Sequence, residues 1–206
     1  NDLGQYDAAC DAYREALAIA PQDPILLRDF GVVLEGRGRL DEALALYQQA
    51  IALRGDFAEA HFSAGSIYQT LGQAEQAVAA YQRALAIRPD YVDALNNLSA
   101  MYNDMSRPDE ALAYAEQGLA IAPTMGALHA NRQVALHAQG RADEGVEAGR
   151  RAAELRPHDA AEHSNFLYTL NFHPDYDADT IFAEHLEWAR RHAEPLTARA
   201  APHTND

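Results

Sequence analysis

The sequence predicts an all-α solenoid of antiparallel helix pairs, on three observations: a 34-residue period, small residues recurring at fixed places within it, and a proline closing most copies. The period is clearest from Ala58 to Tyr91 and holds through the first 159 residues. Pro89 has Pro21, Gly55, Pro123 and Pro157 as its equivalents. Gly72 has Gly4, Gly38, Ser106 and Gly140; Ala77 has Ala9, Ala43, Ala111 and Gly145; Ala84 has Ala16, Ala50, Gly118 and Ala152.

Within Ala58 to Tyr91 the first half reads as a helix to about Leu71. Gly72 follows, where a residue without a Cβ takes the left-handed conformation that ends a helix. A second helix runs from about Glu75 to Arg88, and Pro89 stops it by removing an N–H and disfavouring helical geometry in the residue before it. Gly65, Ala77 and Ala84 are small where the two helices cross, with Tyr68 and Tyr81 supplying bulk beside them. This chain resembles the tetratricopeptide-repeat (TPR) family, whose fold is a right-handed superhelix of such pairs.

The period divides the chain into one partial repeat, 1–23, four repeats, 24–57, 58–91, 92–125 and 126–159, and a divergent helical extension, 160–206. In the partial repeat Asn1 to Gly4 read as the end of a first helix and Asp7 to Ala20 as the second, with Tyr13 and Ala16 in their expected places. Gly55 replaces proline in the second repeat, and the turn is expected to survive. In repeat 92–125 Ser99 stands for the small glycine and Ala115 for the tyrosine, so packing is expected to be thinner. Repeat 126–159 departs furthest, with Arg132 and Gln133 in places held by Leu and Gly, and with Gly145 and Gly149 inside its second helix. Each such glycine costs about 1 kcal/mol relative to alanine, which predicts the loosest repeat. Beyond it AAEHSNFLYTL restarts the pattern without a second repeat helix at the right distance, and Pro174 breaks the chain. Asp177 caps a helix from about Ala178 to Ala193 with Asp179 in its first turn. The tail after Pro195 is polar and expected to be mobile.

The formal charge of −15, dispersed rather than run together, argues against a phosphate-backbone partner, so no nucleic acid is expected. Every fixed side-chain cation is arginine, and the inward face offers chiefly Arg28 and Arg132, which argues against the subfamily that clamps acidic chaperone tails. Cys10 is the single cysteine and forms no internal disulfide; burial and a reducing, cytoplasmic setting fit it. No stretch reaches membrane-spanning length, and the start has no signal-peptide pattern. The first repeat has an uncovered face, which suggests further repeats or self-association there.

Candidate binding residues occupy the sixth place of each first helix: Asp29, Ser63, Asn97, Asn131 and Asn165. In a TPR superhelix these would stand along the concave groove. A carboxamide donates and accepts at once, which suits gripping the backbone of an extended peptide; the competing reading is that they bond across to a neighbouring helix. Asn96, Asn103 and the aromatic Phe62 lie on the same faces, as do Ile25, Arg28, Val32, Glu59, Ser66, Gln69, Asp93, Asp104, Ala130, Val134 and His137. Eight of the nine histidines fall from His129 onward, but no pair stands at i, i+3 or i, i+4 on one helix, so no metal site is expected. No phosphate loop, nucleophile elbow or strand pattern is visible, so no cofactor and no catalytic residue are expected.

The segment His163 to Leu196, about a sixth of the chain, adds a narrower resemblance. Ser164–Asn165, the run Leu167 to Leu170, His173–Asp175, Ile181–His185 and the W-A-R-R-H-A-x-P-L ending at Leu196 are similar to the segment joining TPR repeats to the catalytic part of bacterial O-GlcNAc-transferase-like and SPINDLY-type glycosyltransferases. The resemblance implies a groove holding an acceptor polypeptide through an asparagine ladder, matched at Asn97, Asn131 and Asn165 and departed from at Asp29 and Ser63. The catalytic domain would begin after Asp206 and none of its residues is present. It also suggests a docking surface of Ile181, Phe182, His185, Trp188 and His192 on one stripe. The alternative is a free-standing TPR adaptor or scaffold. For the packing scheme itself, Ala77→Leu is expected to overpack the helix pair and cost about 1–3 kcal/mol, read as a lowered melting temperature.

Overall fold

The computed structural model describes residues 2–197, with side chains from 6 to 195. These residues form α1 (Asp2–Ile19), α2 (Pro24–Gly36), α3 (Leu40–Leu53), α4 (Ala58–Thr70), α5 (Ala74–Ile87), α6 (Val92–Asp104), α7 (Pro108–Ile121), α8 (Gly126–Ala138), α9 (Ala142–Leu155), α10 (Ala160–Leu170) and α11 (Ala178–Trp188). A π-helical turn, Ala189–Ala193, then leads into α12 (Glu194–Thr197). Two compact units divide within α6, between Leu98 and Ser99.

The helix boundaries follow local chemistry. The Asp23 carboxylate caps α2 by accepting from the Ile25 and Leu26 amides at 2.8 and 3.2 Å, with Pro24 opening the helix. Asp159 and Asp177 cap α10 and α11 in the same way, the latter as expected. The turns inside the pairs need a left-handed residue, and Gly38, Gly72 and Gly140 supply it at φ 71–73°. Ser106 holds the same place at φ 56°, where its Cβ makes the turn cost about 1–2 kcal/mol more. The turn at Gly55 forms without a proline.

In the first unit α2 pairs with α3 and α4 with α5. Cys10, Phe30, Leu34, Tyr47 and Ile67 form its main cluster, with Tyr13, Leu17 and Tyr68 against it. Helix α1 is continuous from Asp2, so the break expected at Gly4 is corrected. Gly4 takes helical geometry within α1, at a cost of about 1 kcal/mol relative to alanine.

The crossing of each pair is set by one large and one small side chain. A Cβ on Gly31 would lie 2.5 Å from the Tyr47 ring, and one on Gly65 would lie 2.8 Å from Tyr81, and both rings are fully buried. In the second unit Ser99 and Ala115 hold these two places, both fully buried, and the Ser99 hydroxyl donates to the Ala111 carbonyl at 2.8 Å. In the α8/α9 pair the sizes are exchanged. Gln133 is buried and fills the space left by Gly149, where a Cβ would meet its Cδ at 2.7 Å. The Gln133 amide donates to the Asn165 carbonyl at 3.0 Å and to the Thr169 hydroxyl at 2.5 Å, tying α8 to α10. Gly149 is therefore a packing residue rather than a source of looseness.

The extension folds as a further hairpin. Helix α11 starts 178 − 142 = 36 residues after α9, against the period of 34, the difference lying in the longer loop after α10. Ile181 and Trp188 pack on Val146, Ala153, Phe166, Leu167 and Leu170, and the indole N–H donates to the Ala160 carbonyl at 3.2 Å. Helical structure continues past Pro195, expected to end it, because the π-turn carries the Glu194 amide to the Ala189 carbonyl and widens the helix before the proline ring meets the carbonyl four residues back. Residues after Thr197, where a mobile tail is expected, lie outside the described region.

If Gln133 and Gly149 are one packing unit, Gly149→Ala should cost about 1–3 kcal/mol. A denaturation cycle with Gln133→Ala should return a coupling of about 0.5–3 kcal/mol, since the shortened side chain vacates the space that the new methyl needs.

Candidate functional site

The residues at the sixth place of the first helices divide by what stands across from them. In the first unit the Tyr47 hydroxyl donates to Glu35 Oε2 at 2.7 Å and is hydrogen-bonded to Ser63. Tyr81 donates to Gln69 Oε1 at 2.8 Å and accepts from Asn97 Nδ2 at 3.1 Å. Burial pushes both phenols above their ordinary range, and Glu35 adds to this for Tyr47. The Asn97 oxygen accepts from Asn96 Nδ2 at 3.3 Å, so both ends of its carboxamide are engaged, and Asp29 sits 3.0 Å from Arg28. Phe62 is half-buried against Tyr81 and Tyr91, with centroids at 5.4 and 4.8 Å, which makes it a packed ring rather than an open anchor. For Ser63 and Asn97 the geometry shows the cross-helix bond, whereas Asp29 meets Arg28 on its own helix.

The second unit differs because Ala115 and Gly149 replace the tyrosines and offer no hydroxyl. Asn131 is half-buried and Asn165 exposed. Asn103 spends its amide on the Asn131 carbonyl at 2.9 Å, joining α6 to α8. One and two turns along from the asparagines, Val134 and His137 on α8 and Tyr168 on α10 are exposed, as is Phe172 in the turn after α10, Tyr168 and Phe172 at 59% and 62%. The Tyr168 and Phe172 rings lie 4.8 Å apart, and His137 meets them edge-on at 6.3 and 6.5 Å.

The expected docking stripe on α11 is split, and that expectation is corrected to this extent. Ile181 and Trp188 pack inward, and His192 is half-buried with Nε2 3.3 Å from His163 Nδ1. Only Phe182 and His185 of the set are exposed, with Leu186 beside them. The five residues share one helix face, and α10 and α9 cover part of it. The His163 imidazolium is disfavoured first by burial and then by His192 and Arg191, which lowers its pKa from the ordinary 6.5.

A second histidine is buried in the loop after α10. His173 Nε2 lies 2.7 Å from Asp143 Oδ1, and its Nδ1 accepts from the Asp175 amide at 3.2 Å. Asp143, His173 and Asp175 thus bring ligand-type atoms within 4.8 Å, a grouping that helix spacing did not reveal because Asp143 and His173 are 30 residues apart. With Nδ1 an acceptor, Nε2 carries the proton and donates to Asp143, and the group pins the loop to α9. A pocket of about 380 Å³ between α8 and α9 is lined by His129, Arg132, Glu147, Arg150, Arg151 and Glu154, with Arg150 and Arg151 paired to Glu184 and Glu154.

Family models described as tetratricopeptide repeat match residues 1–23 and 56–124, and one described as TPR repeat matches 36–72. The chain belongs to the tetratricopeptide-repeat family. No curated protein matches it. Among solved structures it is similar to MamA, at 26% identity over 78% of this chain and 87% of that one, TM-score 0.67. It is also similar to YrrB, described as a TPR protein with an unusual peptide-binding site, at 21% identity over 92% and 98%, TM-score 0.77. A TPR protein from Parabacteroides merdae aligns over 98% of this chain and 76% of its own at 18% identity, TM-score 0.73, so the fold likeness runs into the C-terminal hairpin.

In this TPR chain the exposed ring pair was missed by sequence reasoning, although one of its members was within reach. Val134 was singled out on the inward face, and Tyr168 is its equivalent one period on. Phe172 lies in the loop extension, where the period no longer applies.

His163 supplies a pH-dependent test of the C-terminal hairpin. Its folded pKa is depressed, so its contribution to stability is fully present above 6.5 and is lost as the pH falls through the lower folded value. The melting temperature of the wild type should fall between about pH 7 and pH 5 by more than that of His163→Asn, which carries no titrating ring.

Proposed function

We propose that this TPR protein is an interaction module that holds an extended polypeptide by its backbone, with the inward faces of α8 and α10 as the principal contact. The observation that carries this reading is the exposure of Val134, His137, Asn165 and Tyr168 on those faces and of Phe172 just past α10, with the half-buried Asn131 one turn before Val134. Carboxamides pair with peptide N–H and C=O groups whatever the side chains, and the apolar groups beside them supply area. Asn97, Ser63, Asn96, Asn103, Asp29 and Phe62 enter this reading as supporting residues that keep the helices in place. The peptide-binding site ascribed to YrrB accords with the same use of the fold.

The narrower proposal, that the module is the acceptor-recognition region of an O-GlcNAc-transferase-like glycosyltransferase, rests on the His163–Leu196 resemblance alone. The alternative, a free-standing cytoplasmic adaptor that self-associates through its first repeat, draws on the exposure of Ile19, 87% on α1. No described helix is long and apolar enough to cross a membrane.

The test uses a pool of randomised, end-blocked decapeptides and fluorescence polarisation. Asn131→Ala with Asn165→Ala should weaken binding about five- to a hundredfold, from about 0.5–1.5 kcal/mol per lost hydrogen bond, at unchanged helicity. Asn97→Ala should instead lower the melting temperature. Undiminished binding by the double variant would overturn the reading.

A further inference from the structure

We infer that the exposed Tyr168–Phe172 pair is a receiving site for a cationic side chain, an arginine above all, carried by the bound polypeptide. The inference rests on the peptide-binding reading and names the chemistry that such a ligand must bring. Elsewhere in this chain several aromatic faces are covered by its own arginines: Arg54 stands 3.5 Å over Phe57, Arg88 stands 3.5 Å over Tyr91, Arg107 stands 4.8 Å over Tyr102, and Arg150 stands 5.0 Å over Phe166. Among the described residues no arginine lies over Tyr168 or Phe172, although both rings are more open to solvent than those four. The nearby repeat has no arginine to spare, and His137 meets the rings only edge-on. Arg132, Arg141, Arg150, Arg151 and Arg156 each stand against a carboxylate.

The charge balance selects the occupant. With a formal charge of −15 the protein repels an anionic segment and attracts a basic one, while the two exposed rings, tilted at 54° with centroids 4.8 Å apart, offer negative π-density to a cation. A guanidinium fits better than an ammonium because it is planar, stacks on a ring, and is more weakly hydrated. Asn165 lies one turn before Tyr168 on the same helix, so a backbone held at its carboxamide brings a side chain onto the rings.

The experiment titrates the full chain with four blocked pentapeptides, acetyl-Ala-Ser-Xaa-Ser-Ala-amide, in which Xaa is arginine, citrulline, leucine or glutamate. Binding is followed on the aromatic carbon–proton resonances of Tyr168 and Phe172. The arginine peptide should bind about three- to tenfold more tightly than its neutral isostere citrulline, and more tightly than the other two. Tyr168→Leu, which keeps apolar area on an exposed site and removes the π-face, should erase that difference at an unchanged melting temperature. Equal affinity for arginine and citrulline, a preference for leucine, or shifts confined to other residues would overturn the inference. If all four peptides bind alike and Asn165→Ala weakens them all, the cation site falls and backbone gripping stands; if none binds, both fall.

Discussion

Two helices joined by a tight turn approach only as closely as the side chains at their crossing allow, and the rest of this molecule depends on how that space is shared. Tyr47 fits because Gly31 has no Cβ, and Tyr81 because of Gly65. Ser99 with Ala115 meets the same constraint with two small residues, and Gln133 with Gly149 meets it with the sizes reversed. The total volume is limited, while the helix that carries the bulk is free to change. Close-packed interiors behave this way: neither an extra methyl nor a void is tolerated without cost.

That packing choice reaches the surface where binding is proposed. A tyrosine at the crossing ends in a hydroxyl, and the hydroxyl engages the sixth residue of the next first helix, as Tyr47 does with Ser63 and Tyr81 with Asn97. The side chain becomes part of the joint between repeats. Ala115 and Gly149 have no hydroxyl to offer, and α10 presents the exposed Asn165 carboxamide one turn before the exposed Tyr168 ring. Gln133, which replaces the bulk of a tyrosine, directs its amide to the Asn165 carbonyl and the Thr169 hydroxyl and holds α10 beneath the Tyr168 and Phe172 rings. Core substitutions in the later repeats are thereby coupled to what the surface displays.

The C-terminal hairpin is held by a different set of contacts. Its histidines are structural partners: His173 bridges Asp143 and the Asp175 amide, and His163 meets His192 beneath Trp188. Burial disfavours the charged form of His163, so acid works against this packing. Ile181 and Trp188 are drawn into the same cluster, leaving Phe182 and Leu186 as its exposed apolar groups.

The fold class, the helix pairs and the turns were determined by sequence alone, because they rest on local rules: a period of 34, glycine where φ is positive, aspartate at helix starts and proline at helix ends. The asparagine row was legible for the same reason. Which asparagines are engaged by a neighbouring helix was not, since that depends on a residue sixteen positions earlier and on whether it ends in a hydroxyl. The capture of half the α11 stripe and the meeting of Asp143 with His173 were likewise decided only by tertiary structure. In each, the deciding contact joins residues that no local pattern relates, and burial chose between faces that the sequence left equivalent.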